Sequence, residues 1–336
     1  MSSAAAVRDA AVQAGRSLYQ KVPVAARQRV RPFVEQRLGE KVELRSLSFT
    51  PSAPVGYRPA LRPFTVEAPT ELFIPKSLAK YGLGKYEPYA LDLYLALLEH
   101  TRRGAVLDIG ANVGLYGLLA TALGRRPVYS FEPTPRIAAA ARRSAKVSGL
   151  PLRVEQAAVG EEVGTLTLYL SNTSDASNSL NPDFRKSEER IDVPTTTVDT
   201  FCAAKRLAPS LLKIDTETTE PAVLRGARRT ITTHRPWILV EVLKGRCVGE
   251  LDAAMEGHGY TYHHIDGPGP RPVAEQIVGK DGGDMYLLAP QPVPDSVWAA
   301  MNAWREVLAG VRLAQRSVEV STLLLDSELR PLPTTA

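Results

Sequence analysis

The amino-acid sequence predicts an α/β protein: a doubly wound, mostly parallel sheet of seven strands with helices on both faces, preceded by a helical N-terminal extension. Two observations lead there. The run Ala105–Ile109 is short, apolar apart from Asp108, and bounded by Gly104 and Gly110, as a buried parallel strand requires. Runs of that kind then alternate with helical patterns as far as Leu288, and such alternation implies a parallel sheet joined by right-handed crossovers.

Taken in order, residues 4–22 have helical spacing in Val7, Ala11, Ala14, Leu18 and Val22. A second helix is expected over 26–45, broken near Pro32. Six prolines between 46 and 75 predict an extended connector. Residues 87–100 form an amphipathic helix with the stripe Leu91, Tyr94, Leu95 and Leu98. After the strand at 105–109, helices are expected at 115–123, 136–148, 221–230 and 248–257. The remaining core strands fall at 128–131, 152–154, 211–214, 237–242, 260–264 and 285–288, with an extra strand at 165–170. The polar stretch 171–190 reads as a loop, long enough to be functional. Residues 295–327 begin as a helix. The expected division is a helical extension with its connector over 1–100, a sheet domain over 101–292, and a helical segment and tail over 293–336.

The chain has 336 residues, 44% hydrophobic and 23% charged, as soluble globular proteins do. No run approaches 18 apolar residues, so no transmembrane helix is expected, and the N-terminus has no basic segment followed by an apolar core of the secretory kind. Cys202 and Cys247 sit in no metal spacing and make no disulfide framework, which suits a reducing cytoplasm. The net charge of +5 is concentrated: residues 1–45 hold nine Lys and Arg against four Asp and Glu, and the rest of the chain balances. A nucleic-acid enzyme carries its basic excess around the active domain, so nucleic acid is not expected as a partner. The basic leader is read as a solvated extension, with weak contact to an anionic membrane surface through residues 1–45 as the sharper alternative.

The chemistry concentrates in Val106-Leu-Asp108-Ile-Gly110-Ala-Asn112-Val-Gly114-Leu-Tyr-Gly117. A strand ends in a carboxylate, and a turn of small residues leads into a helix whose free amides favour negative charge. Gly110 and Gly114 are expected to let a ligand approach the backbone closely. Dinucleotide enzymes use G-x-G-x-x-G at such a turn. Here Asn112 and Leu115 occupy the second and third glycine positions, and Asp108 precedes the first. A carboxylate suits a cationic amino-acid ligand better than a pyrophosphate. The next strand ends in Glu132-Pro133, where an acidic side chain accepts hydrogen bonds from ribose hydroxyls. Asp108 with Glu132, in the wrong glycine pattern for NAD, makes an NAD-linked oxidoreductase the rival rather than the leading reading. Asn112 is alternatively a helix cap.

Across residues 104–245 the sequence resembles the FkbM family of methyltransferases. The resemblance rests on Leu107-Asp-Ile-Gly-Ala-Asn-Val-Gly114, Ser130-Phe-Glu-Pro133, Gln156-Ala-Ala-Val-Gly160 and Val193-Pro-Thr-Thr-Thr-Val-Asp199. It continues in Leu212-Lys-Ile-Asp-Thr-Glu217 and Pro236-Trp-Ile-Leu-Val-Glu241. It implies a Rossmann-like, class I methyltransferase fold over 101–292 that binds S-adenosyl-L-methionine at Asp108, Gly110, Asn112, Gly114, Glu132, Pro133, Gln156 and Ala157. The implied reaction is methyl transfer, usually to a hydroxyl oxygen of a sugar, a glycolipid, or a polyketide or peptide natural product. One departure stands out: where the family reads K-I-D-V-E-G-A-E, this chain has Thr218-Thr219 in place of the small Gly-Ala pair. That replacement makes a non-catalytic S-adenosylmethionine-binding protein a second rival.

Ligands of doubly wound sheets bind beyond the carboxyl ends of the strands, where Lys213, Asp215, Glu217 and Glu241 fall. In-line methyl transfer needs alignment, and a hydroxyl acceptor must also lose a proton to a base. Asp215 is the first candidate base, with Glu217 and Glu241 as alternatives. Lys213 is either functional or half of a structural ion pair. Asp215, Glu217 and Glu220 have oxygen ligands for a divalent metal, but acids at a helix start are the commoner arrangement, so a metal is not favoured. His263 and His264 are read as structural strand residues.

Overall fold

In a computed structural model of the protein, residues 41–51, 61–124, 126–280 and 285–321 are described. Strands β1 (Lys41–Thr50) and β2 (Phe64–Pro69) lead to helices α1 (Phe73–Tyr81) and α2 (Pro88–His100). Then come β3 (Ala105–Ile109), α3 (Leu115–Leu123), β4 (Val128–Phe131), α4 (Pro135–Val147) and β5 (Arg153–Glu155). A short β6 (Ala158–Val159) and the hairpin strands β7 (Gly164–Ser171) and β8 (Ser187–Thr196) follow. The chain continues through α5 (Val198–Lys205), β9 (Pro209–Ile214), α6 (Glu220–Arg225), α7 (Arg228–His234) and β10 (Trp237–Glu241). It ends with α8 (Glu250–Met255), β11 (Thr261–His264), β12 (Met285–Ala289), α9 (Asp295–Ala309) and β13 (Arg312–Ser321).

The central sheet has the predicted seven strands, in the order β11-β12-β10-β9-β3-β4-β5. Only β12 runs antiparallel to its neighbours. Side chains alternate between two cores, as the pleat demands. Val106, Leu211 and Leu239 pack on the face covered by α2, α3 and α9. Leu107, Leu212 and Ile238 pack on the opposite face, against α5, α6 and α7. Asp108 and Lys213 are direct cross-strand partners, so the two charges lie side by side on the first of these faces. The chain turns outward in opposite directions from β3 and β9, which opens a crevice at their carboxyl ends.

The ends of the chain depart from expectation. Residues 41–45, expected to close a second helix, belong to β1, which pairs antiparallel with β2 on one side and β13 on the other. The segment after α9, expected only as a tail following the helix that begins residues 295–327, supplies β13. Both readings missed a sheet whose partner strands lie far apart in the sequence. Residues 64–69 of the expected connector are β2, anchored on α4 where Ser144 Oγ accepts the Glu67 amide at 2.9 Å. The expected helix at 4–22, and most of the one at 26–45, lie outside the described residues. The predicted helix 221–230 is two helices. Gly226 ends the first where a Cβ would stand 2.0 Å from the Gly160 carbonyl. No helix among the described residues is long and apolar enough to cross a membrane.

Candidate active site

A cavity opens beyond the carboxyl ends of β3, β4, β9 and β10, with about 900 Å³ of space including its open mouth. Of the residues singled out in the sequence, Asn112, Glu132, Pro133 and Ala157 line it, as do Asp215, Glu217 and Glu241, with Gly110 against the Asp215 carbonyl.

Glu132 ends β4 with 6% of its surface exposed. The Asn112 amide donates to its Oε2 (3.0 Å) and the Thr134 amide to its Oε1 (2.7 Å), which fixes the carboxylate against the cavity wall. Burial pushes its pKa up to about 7, against the opposing pull of those hydrogen bonds. Each oxygen keeps a second lone pair, so the group can still accept two hydroxyls side by side. Asn112 lies in the left-handed region, and its Oδ1 accepts the amide of Val113 at 2.8 Å.

Three predicted cofactor residues lie behind the wall instead of on it. Asp108 is fully buried, with Oδ2 accepting the Gly117 amide (3.1 Å) and the Ser130 hydroxyl (2.9 Å). It therefore ties the first turn of α3 to β3 and β4. Gly114 faces α4, where a Cβ would meet that of Ala141 at 3.2 Å. Gln156 accepts from Arg142 at 3.4 Å, away from the cavity. Gly110 does line the cavity, but for another reason than ligand approach. A Cβ there would stand 1.6 Å from the Asp215 carbonyl, so glycine is needed to bring β3 and β9 together.

Three other carboxylates gather on the wall. Lys213 does not reach the cavity: 3% exposed, it donates to Asp215 Oδ2 at 2.7 Å and lies 4.7 Å from the Tyr116 ring. Burial opposes its charge, but the carboxylates of Asp215, Asp108 and Glu87 outweigh that and hold its pKa above the ordinary lysine value. It is a buried counter-ion that positions Asp215, which corrects its placement among groups contacting substrate. Burial, then the charges of Asp215 and Glu220, lift Glu217 to about 8. Burial and the Asp215 charge push Glu241 well above the carboxylate range. Asp215, Glu217 and Glu241 each offer an oxygen within 4.8 Å of the others. Glu220 is not part of that set. Its Oε1 accepts the Thr216 amide (2.8 Å), the Thr216 hydroxyl (3.1 Å) and the Thr218 amide (3.2 Å), so it serves its own turn. Lys213 already stands as the cation beside Asp215.

Sequence reasoning missed the walls supplied from elsewhere. Phe73, Tyr86 and Glu87 reach the cavity from the segment before α2. The only signal there was Pro88, which marks a helix start and so places Glu87 at its edge. The polar loop after β7 reaches the cavity too, through Asp175, Asn178 and Ser179. It clamps the turn after β9: Ser179 Oγ donates to the Glu217 carbonyl (2.6 Å) and Asn181 Nδ2 to Thr218 Oγ1 (2.9 Å). Glu217 (φ +56°) and Thr218 (φ +85°) are both left-handed in that turn, and Thr218 stands where the resembling sequences have glycine.

Compared with known proteins, residues 108–262 match the Methyltransferase FkbM domain. The chain is 28% identical to the 31-O-demethyl-FK506 methyltransferase FkbM of Streptomyces tacrolimicus, over 46% of this chain and 72% of that protein. Among solved structures, it resembles the methyltransferase FkbM of Methylobacillus flagellatus KT, with 17% identity and a TM-score of 0.35. That match takes in 55% of this chain but only 43% of the other. A SAM-dependent methyltransferase of Agrobacterium tumefaciens gives 12% identity and a TM-score of 0.36, over 72% of this chain and 70% of that one.

Proposed function

We propose, from the match of residues 108–262 to the Methyltransferase FkbM domain, that the chain moves the methyl group of S-adenosylmethionine to a hydroxyl oxygen of a sugar, a glycolipid, or a polyketide or peptide natural product. The observation that carries this reading is a single cavity with two chemically distinct ends. One presents the fixed carboxylate of Glu132 to a ribose, and the other gathers Asp215, Glu217 and Glu241 where a proton must be removed. The donor set fits a ligand that joins a ribose to a cationic centre, whereas a pyrophosphate would meet carboxylates at both ends.

When bound, S-adenosylmethionine supplies a methyl group on a sulfonium, an electrophile that needs no further activation. The protein's part is alignment and proton removal. Glu132, Asn112 and Ala157 hold the nucleoside end. Asp215, kept in place by Lys213, takes the acceptor's proton. Glu217 and Glu241, whose carboxyls favour the protonated form, donate hydrogen bonds to neighbouring acceptor oxygens. The loop 172–186 between β7 and β8, shorter than the expected 171–190 because residues 187–190 pair in β8, offers the acceptor amides and hydroxyls.

The decisive experiment incubates the protein with isotopically methyl-labelled S-adenosylmethionine and small-molecule extracts of its host, and follows label by mass spectrometry. Label transfer to a hydroxylated compound is expected. Binding of NAD in place of S-adenosylmethionine would return the reading to the oxidoreductase rival, and cofactor binding without turnover to the non-catalytic one.

A further inference from the structure

The cofactor proposed above has a ribose and, beyond its sulfonium, an α-amino acid. Glu132 accounts for the first. The second needs an anionic group for its ammonium at the other end of the cavity.

Glu87 stands there. It precedes the 108–262 span that matches the family and reaches the cavity from the start of α2. Its backbone is left-handed (φ +42°, ψ +56°), a conformation uncommon for a residue other than glycine. Although it occupies the N-cap position, its side chain makes no capping bond with α2. The carboxylate is turned instead toward the cavity, where the Tyr116 hydroxyl donates to Oε2 at 2.6 Å. Pro88 fixes where the helix begins, so backbone and Tyr116 together hold the group at the rim.

The other carboxylates at this end are engaged. Asp215 is paired with Lys213. Burial and the Asp215 charge favour the protonated forms of Glu217 and Glu241. Glu87 makes no ion pair among the described residues. Beside it, the Tyr86 phenol hydrogen-bonds to Glu87, and burial together with the Glu87 charge and that bond holds its pKa well above the ordinary value, so Tyr86 stays a neutral partner of the carboxylate.

We propose that Glu87 is the receptor for the α-ammonium group of the cofactor's amino-acid end, held in position by Tyr116. This rests on the S-adenosylmethionine reading of the cavity.

Ligand truncation tests it without knowledge of the acceptor. S-adenosylhomocysteine carries the amino-acid end; 5′-methylthioadenosine shares its nucleoside and thioether but lacks that end. Calorimetry on the full chain measures both. Glu87→Gln keeps the shape and an acceptor for Tyr116 but removes the charge. It should raise the Kd for S-adenosylhomocysteine about 10–100-fold, the loss expected for a charge-assisted hydrogen bond, and leave that for 5′-methylthioadenosine within about twofold. Glu87→Asp, which keeps the charge, should recover part of the loss. Unchanged 5′-methylthioadenosine binding also certifies that the variant folds. Equal weakening of both ligands, or of neither, overturns the proposal. If the unaltered protein binds neither nucleoside, the cofactor reading itself fails, which is a separate result.

Discussion

Glu132 and Asp215 carry the two halves of the proposed chemistry, and each can be tested alone. Glu132→Ala removes the acceptor of two ribose hydroxyls and releases the amides of Asn112 and Thr134. S-adenosylmethionine binding should weaken by about 2–4 kcal/mol, measured by calorimetry; unchanged affinity would remove Glu132 from the site. Because burial lifts Glu132 to about 7, its charged form is lost as pH falls through that value, so cofactor affinity should decline from pH 8 to pH 6. Asp215→Asn keeps the shape and removes the charge. Turnover should drop roughly 10²–10⁴-fold with little change in cofactor affinity. If Glu241→Gln abolishes turnover while Asp215→Asn retains it, the base stands on β10 instead of β9. At this scale the sequence picked out Glu132 and the acids Asp215, Glu217 and Glu241, which line one cavity. It placed Asp108, Gly114, Gln156 and Lys213 there too, because spacing tells which strand end a residue occupies but not which side of the wall its side chain takes.

Among the elements, the turn after β9 is the most strained part of the site. Thr218 is β-branched and left-handed at φ +85°, a combination that costs on the order of 1–3 kcal/mol. Its hydroxyl is held by Asn181 from the loop after β7, so two segments far apart in sequence stabilise one conformation. Asn181→Ala should lower stability by about 1 kcal/mol in denaturant unfolding. Thr218→Gly in that background should recover a comparable amount by relieving the strain. If Thr218→Gly destabilises further, the threonine is not strained. The departure from the family's glycine was visible in the sequence. The clamp that tolerates it was not, since the loop read only as polar.

For the whole molecule, buried carboxylates set the pH response. Burial raises Asp92, Glu132 and Glu220 to about 7 each. In the unfolded chain these groups lose their protons near the ordinary carboxylate values; in the folded protein they lose them only near neutrality. The stability this confers is complete below about pH 4 and is lost as pH rises through 7. The ligand-free protein should therefore melt several degrees higher at pH 5 than at pH 8 by calorimetry. A flat profile over that window would mean that the groups are solvated in solution. Bound S-adenosylmethionine, being cationic, should shrink the difference.

The sequence by itself determined the seven strands of the central sheet and the helices that alternate with them. Short apolar runs and the helices between them are local patterns, and parallel crossovers have one favoured hand. It also brought Glu132, Asp215, Glu217 and Glu241 to the crevice, because ligands of such a sheet lie beyond the carboxyl ends of its strands. Tertiary structure alone decided three things. It joined β1, β2 and β13 into one sheet, bringing together strands from opposite ends of the chain. It assigned Gly110 to the contact between β3 and β9 in place of ligand approach. It brought Tyr86 and Glu87 to the site from outside the matched domain. Each of these depends on which distant residues meet, and a linear pattern carries no record of its neighbours in space.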